Sequence, residues 1–249
     1  MGQDGPLLPA RTEPPGMDTV AELLARERRS AAPACRVGES SHVYDYRRFN
    51  TTAWKVGNYL RHEGVRGGVT VGVAADPNPK ALLTVLGVGL LGAAVHLDPP
   101  KSFDGRAVVA PLEEIAGFDL EPGARRIAYG DDPDDPAVDH WEGGVWSENP
   151  TMPPEAPAPD TPLVTDGQRT ASQAAVLSGA RAAAERAALD EETTACLRAP
   201  PSTPAAIAGA LAPLSAGAEL LFPGDDAVGD VAIGGTDPPE PRAVALPEL

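Results

Sequence analysis

The chain has 249 residues and a formal net charge of −16, from 36 acidic residues against 20 basic ones, only three of them lysines (Lys55, Lys80 and Lys101). That length holds one large domain or two small ones and is enough to bury a core. So acidic a surface repels phosphate backbones and anionic membranes, which excludes nucleic acid and membrane surfaces as expected partners.

Met1–Gly16 is rich in Pro and Gly and has no apolar central run, so it reads as a disordered leader rather than a signal peptide. Asp18 is the expected N-cap of a first helix, in which Val20, Leu23 and Leu24 form an i, i+3, i+4 stripe. Ala34–Val37 and His42–Tyr44 flank Gly38-Glu39-Ser40 as the arms of a hairpin would. Asp45 then caps a helix over Tyr46–His62 with Phe49, Ala53, Val56 and Leu60 on one face, and Gly64 and Gly67-Gly68 stop it. The apolar run Val69–Ala74, bounded by turn residues, suits a strand buried on both faces. A helix over Pro79–Leu91 and a strand over Ala93–Leu97 complete a βαβ-like unit, with further strands at Arg106–Ala110 and Arg125–Tyr129. The longest apolar stretch, Ala81–Leu97, is broken by Thr84, three glycines and His96, too weak for a membrane span. A cytoplasmic protein is the expectation.

From Asp131 to Pro162, eight prolines and many acids with little periodicity predict a long surface connection. Order resumes with a strand at Leu163–Thr165, a loop, and a helix over Ser172–Leu189. Ala195–Arg198 reads as a strand and Thr203–Leu214 as a helix capped by Thr203 with Pro204 at its first position. Glu219–Phe222 and Val231–Ile233 are short strands. The expected organisation is a leader over 1–16, a first α/β subdomain over 17–130, the acidic connection over 131–162 and a second α/β segment over 163–249. Alternating strands and helices argue an α/β fold. The two cysteines, Cys35 and Cys196, show neither metal-ligand nor disulfide spacing and read as reduced, partly buried thiols.

The candidate site is the loop within Leu163–Val176, LVTDGQRTASQAAV, which stands between a strand and an Ala-rich helix. Thr165, Asp166, Gly167, Gln168, Arg169 and Thr170 are the candidate nucleotide-binding residues. A phosphate cradle needs backbone N–H groups exposed by glycines, small hydroxyls and a cation. Asp166 instead puts a carboxylate where phosphate oxygens would lie, a repulsion of roughly 1 kcal/mol or more at ~4–5 Å in a partly solvated site. Arg169 returns one positive charge, although Arg beside an acidic surface more often serves as an ion-pair partner.

Four stretches taken together resemble the adenylate-forming ligases, the family of AMP-forming acyl-CoA synthetases and peptide-synthetase adenylation domains. Val20–Leu24, a hairpin and Tyr44-Asp45-Tyr46-Arg47-Arg48-Phe49 look like the family's opening helix and first long helix. Val69–Ala74 with Asp76-Pro77-Asn78 is similar to the strand and loop that follow. Leu86–Pro99 resembles the segment L-G-x-x-x-x-G-A-x-x-x-x-L-D-P, about one residue shorter, and Leu211–Leu220 the helix-to-strand turn after the signature loop. Against the family signature T-S-G-T-T-G-x-P-K-G, Thr165 and Gly167 survive. Asp166 replaces the serine, Gln168 and Arg169 the threonines, Thr170 and Ala174 two glycines, Ser172 the proline and Gln173 the lysine.

The resemblance implies layered sheets with flanking helices, the N-terminal part of a ligase that binds ATP and an acyl acid. It also implies that the adenine loop, the ribose-binding aspartate, the hinge and the C-terminal catalytic lysine are missing from this sequence. Pro200–Ile207 stands where the family carries a histidine. The leading expectation is a truncated, degenerate relative that has lost catalysis and acts as a binding or regulatory module. On that reading no residue is catalytic and no metal is held, while ATP or AMP with Mg²⁺ would bind only if the loop retains function. A full-length ligase or another protein is the expected partner. Two alternatives are half of a split acyl-CoA synthetase completed by another chain, and an assembly role for the acidic connection. Many acids with scarce lysine also resemble proteins of salt-loving archaea, the alternative being an acidic cytosolic protein of a GC-rich genome.

Other constellations are weaker. Asp139-His140-Trp141-Glu142 invites a metal or acid-base reading, but in a flexible acidic loop nothing orients these groups, and a solvated loop with Trp141 and Trp146 tucked against the domain is preferred. His42, His62 and His96 are isolated. Ser172 and Ser178 lack a nearby histidine base, and Arg26, Arg28 and Arg29 read as a solvated helix face.

Overall fold

The computed structural model describes residues 16–39, 43–224 and 227–249. The chain opens with α1 (Val20–Leu23) and a single 3-10 turn at Arg26–Arg28, followed by β1 (Pro33–Val37), β2 (Tyr44–Asp45) and α2 (Tyr46–His62). Next come β3 (Thr70–Val73), α3 (Pro79–Leu90), β4 (Ala94–Leu97), β5 (Ser102–Phe103) and β6 (Ala107–Pro111). A short α4 (Leu112–Ile115) precedes β7 (Asp119–Leu120), β8 (Arg125–Tyr129), β9 (Val138–His140) and α5 (Trp141–Ser147). The remainder holds β10 (Pro162–Thr165), β11 (Thr170–Ser172), α6 (Gln173–Arg186), β12 (Thr194–Leu197) and α7 (Pro204–Ala216). β13 (Glu219–Phe222), β14 (Val231–Ile233) and β15 (Ala243–Val244) close the chain.

Local chemistry sets the helix ends. Asp45 accepts from Arg48 N–H, Asn78 from Lys80 N–H, Ser172 from Ala175 N–H and Thr203 from Ala206 N–H, each at an N-cap. Pro204 sits in the first turn of α7, as expected, and Gly217 closes that helix at φ +83°. The first cap differs from expectation: it is Thr19, not Asp18. Thr19 Oγ1 accepts from Glu22 N–H while Glu22 Oε2 accepts from Thr19 N–H, a T-x-x-E capping box. Asp18 pairs instead with Arg181 at 3.2 Å.

The strands form two large sheets and a small one. One sheet runs β15-β14-β12-β13-β1-β2, the other β11-β10-β4-β3-β6-β8-β9, and β5 pairs with β7. All pairings are parallel except β1–β2 and β10–β11. Each large sheet therefore takes strands from both sides of 131–162: Cys35 of β1 pairs with Leu220 of β13, and Val164 of β10 with Val95 of β4. A sequential division at that segment does not follow the sheets, because parallel neighbours are joined by crossovers and not by adjacency in sequence. The hairpin of β1 and β2 forms, with Ser40 of its expected turn and His42 of its expected second arm outside the described residues. The expected leader over 1–16 lies outside them too, apart from Gly16.

The surface connection expected over 131–162 carries secondary structure of its own. Its β9 extends a sheet beside β8 and its α5 packs on α2, burying Trp141 and Val145. Proline density hid a three-residue strand and a seven-residue helix, both too short for periodicity to register.

α3 and α7 are apolar all round and almost wholly buried, as core helices of a layered α/β protein must be. α2 crosses α3 closely because two glycines face each other. A Cβ on Gly87 would lie 2.6 Å from Val56 Cγ1 and 2.9 Å from Gly57 N. Gly87→Ala is therefore expected to destabilise by about 1–3 kcal/mol in urea unfolding, the overpacking cost exceeding the gain in helix propensity. Both cysteines are free and fully buried, not partly so. Arg28 and Arg29 are not a solvated face: Arg28 Nη2 donates to the α7 carbonyls of Leu214 and Ser215, and Arg29 stacks 5.2 Å above Trp54.

Candidate functional site

The expected loop spans the turn between β10 and β11, a hairpin in which Thr165 pairs with Thr170. Because β10 runs parallel to β4, the loop emerges at the carboxyl edge of its sheet, where ligands of open α/β sheets bind. All six residues singled out in the sequence are on this turn or at its two ends. The sequence placed a helix directly after the loop; the structure interposes β11, so Thr170 is extended strand and needs no left-handed backbone. Gly167, at φ +83°, supplies the left-handed position.

Every backbone N–H from Asp166 to Arg169 is already engaged. Asp166 Oδ1 accepts from Gln168 N–H at 2.9 Å and from Arg169 N–H at 2.8 Å. Thr165 Oγ1 accepts from Gly167 N–H at 3.1 Å and donates to the Arg169 carbonyl at 2.9 Å. Asp166 N–H donates to that same carbonyl at 3.2 Å. The N–H groups of Arg169 and Gln168 hold the Asp166 carboxyl below the usual carboxylate range. Asp166 thus stands as a tethered anion in the loop's own concavity, and phosphate oxygens would have to displace it. The loop as built does not fit a nucleotide phosphate.

Two further features come from the tertiary structure. His96, isolated in sequence, lies under the loop: β4 and β10 register it beside Thr165, and a Cβ on Gly167 would sit 3.2 Å from His96 Nε2. No local signal joins residues so far apart. The loop also walls an open cleft of about 830 Å³, shared with the start of α7 at Thr203–Ala205 and with Pro247–Leu249. The charged side chains lining it are Arg169 against the carboxylates of Asp166 and Glu248, a poor setting for a polyanion.

The Asp139–Glu142 cluster is ordered, contrary to the sequence reading. Lys80 Nζ and Gly130 N–H both donate to Glu142 Oε1, and His140 lies 3.2 Å from Glu142 and 3.3 Å from Asp132. Trp141 is buried and donates its indole N–H to Thr84, while Trp146, expected to tuck in, is 65% exposed. Among the described residues no group of three or more His, Cys, Asp or Glu is placed to hold a metal ion, and no helix is long and apolar enough to cross a membrane.

Two parallel-rich sheets with buried helices between flanking ones, and a hairpin loop at a carboxyl sheet edge, are the fold of the N-terminal part of adenylate-forming ligases. An anthranilate CoA ligase, AuaEII, solved in complex with anthranoyl-AMP, superposes with a TM-score of 0.71 at 15% identity, over 87% of this chain and 49% of that one. The N-terminal domain of FACL13 from Mycobacterium tuberculosis gives 0.68 at 13% identity, over 88% and 63%. The nonribosomal peptide synthetase FmoA3, in its AMPPNP-bound form, gives 0.67 at 18% identity, over 92% and 24%. The chain spans about half the length of the anthranilate ligase. Its sequence matches no protein-family model and no curated protein.

Proposed function

We propose that this chain is a non-catalytic binding or regulatory module built on the acyl-CoA synthetase fold. The observation that carries the reading is the loop in which Asp166 and Thr165 take the N–H groups a phosphate would need. Without those donors, charge developing on a transferring phosphoryl or adenylyl group has nothing preorganised to meet it. A full-length ligase or another protein is the partner this reading favours.

Incubation with ATP, Mg²⁺ and a panel of carboxylic acids is expected to give no acyl-adenylate by mass spectrometry, and ATP no saturable rise in melting temperature. Asp166→Ala removes the tethered charge and frees two N–H groups. It is expected to bring ATP affinity up by about tenfold or more, ~1.4 kcal/mol. Acyl-adenylate formed by the unaltered chain would refute the proposal.

Half of a split acyl-CoA synthetase is a second reading, supported by the 49% of the anthranilate ligase chain that this chain covers. It requires acyl-adenylate to appear only on mixing with a polypeptide that carries the rest of the fold. The excess of carboxylates further leads us to expect that the urea midpoint rises across a KCl series as salt screens self-repulsion. A midpoint independent of KCl would argue for an ordinary acidic protein.

A further inference from the structure

We propose that the groove between α2 and α5 binds a small organic acid: a carboxylate carried on a planar apolar group. None of its lining residues belongs to the cleft at the Asp166 loop, so it stands apart from the reading above. The groove encloses about 290 Å³. Arg48, Thr52 and Lys55 line it from one face of α2, Val145 and Trp146 from α5, with Lys80 at its end.

Its composition is opposite to that of the protein. A chain with three lysines, three tryptophans and a net charge of −16 places two of those lysines and two of those tryptophans here. The carboxylate in the lining, Glu142, is already engaged through Oε1 by Lys80 and by Gly130 N–H. Arg48 and Lys55 have no carboxylate within ion-pair distance among the described residues; nearby Asp45 accepts the Arg48 backbone N–H at 2.6 Å in its capping role.

The two cations are held by aromatic faces. The Arg48 guanidinium lies 5.0 Å from the Tyr44 ring centre and 6.0 Å from that of Trp146. Lys55 Nζ lies 5.7 Å from the Trp146 ring and donates to the Trp146 carbonyl at 3.1 Å, leaving donors to spare. Such contacts position a cation without neutralising it. An anion is what the site lacks, and the exposed Trp146 face beside it offers apolar cover to whatever carries the charge. A volume near the lower end of small-molecule sites selects a compact acid over a long chain.

The test is a titration of ¹⁵N-labelled protein at 150 mM salt, following the Trp146 indole N–H, assigned by its loss in Trp146→Phe. The probes are 2-naphthoate, the neutral 2-naphthamide, and an acidic peptide, acetyl-Asp-Glu-Asp-Glu amide. The expected result is a saturable shift with naphthoate, at least tenfold weaker with naphthamide and with the peptide. Arg48→Gln/Lys55→Gln should weaken naphthoate at least tenfold without moving the melting temperature. Equal response to acid and amide would mean apolar adherence and overturn the proposal. So would a response to the peptide alone, which would mark an acidic-segment docking site, or no Trp146 shift at 10 mM naphthoate (about the weakest binding of use).

Discussion

Replacing Arg198 by alanine is expected to cost about 3–5 kcal/mol of unfolding free energy in urea. Its guanidinium donates Nη2 at 2.6 Å and Nε at 3.0 and 3.1 Å to the carboxylate of Glu240, whose side chain is fully buried. Nη2 also holds the Ala227 carbonyl at 2.8 Å, so one side chain ties the residues after β13 to β12. Truncation leaves a buried carboxylate without its counter-charge, and that desolvation, not the loss of attraction, is the larger part of the cost. A double replacement, Arg198→Met with Glu240→Leu, removes both charges and is expected to recover most of the loss.

The pH dependence follows from the same pair. Burial raises the Glu240 pKa, but the hydrogen bonds from Arg198, Cys196 and the Gly229 N–H outweigh it, and the net shift is downward. A group with a depressed folded pKa contributes stability that is full above its unfolded value and lost as pH falls through the folded one. The penalty of Arg198→Ala should therefore be largest at neutral pH and shrink in acid, where the isolated Glu240 takes up a proton. A penalty flat from pH 7 down to pH 3 would refute this assignment. Beside the pair, burial and the Glu240 contact push the Cys196 thiol up to about 12, which keeps it unreactive at neutral pH.

Trp54→Ala is expected to cost about 3–5 kcal/mol as well, by a different route. Trp54 is 1% exposed on the inner face of α2, among the largest fully buried side chains, with Arg29 stacked over it. The loss is transfer free energy plus the cavity left between packed elements. Its indole N–H is buried with no hydrogen-bond partner among the described residues, a standing cost that phenylalanine removes. Trp54→Phe is thus expected to lose less than about 1.5 kcal/mol despite its smaller ring. Urea unfolding of both variants, followed by far-UV circular dichroism, checks the contrast. A Trp54→Phe loss as large as that of Trp54→Ala would mean that the phenyl ring recovers none of the packing and would overturn this account.

Helix ends and most strands were legible because their signals are local. Asp45, Thr203 with Pro204, and the glycines after α2 act within a turn of the residues they cap or stop. The T-x-x-E box at Thr19 is equally local, but Asp18 beside it carries the stronger single-residue cap signal. The candidate loop was legible too, down to the carboxylate at Asp166. The direction of that carboxylate's effect was legible, but not its partners. Sequence placed a repulsive charge on the loop, whereas the folded turn points the charge inward onto Gln168 and Arg169 N–H. The aromatic and basic groove was invisible, since Arg48, Lys80 and Trp146 lie far apart in the chain and only the packing of α2, α3 and α5 gathers them.

The sequence by itself determined the α/β alternation, the capped helices and a strand-bounded loop with a carboxylate at Asp166. Tertiary structure decided which strands are neighbours, that His96 lies beneath the loop, that Asp166 fills it, and that two of the three lysines and two of the three tryptophans share one groove. The reason is the range of the interactions. Capping and periodicity act over three or four residues and are written in neighbouring letters. Parallel strand pairing and side-chain clustering join residues whose separation along the chain carries no local imprint.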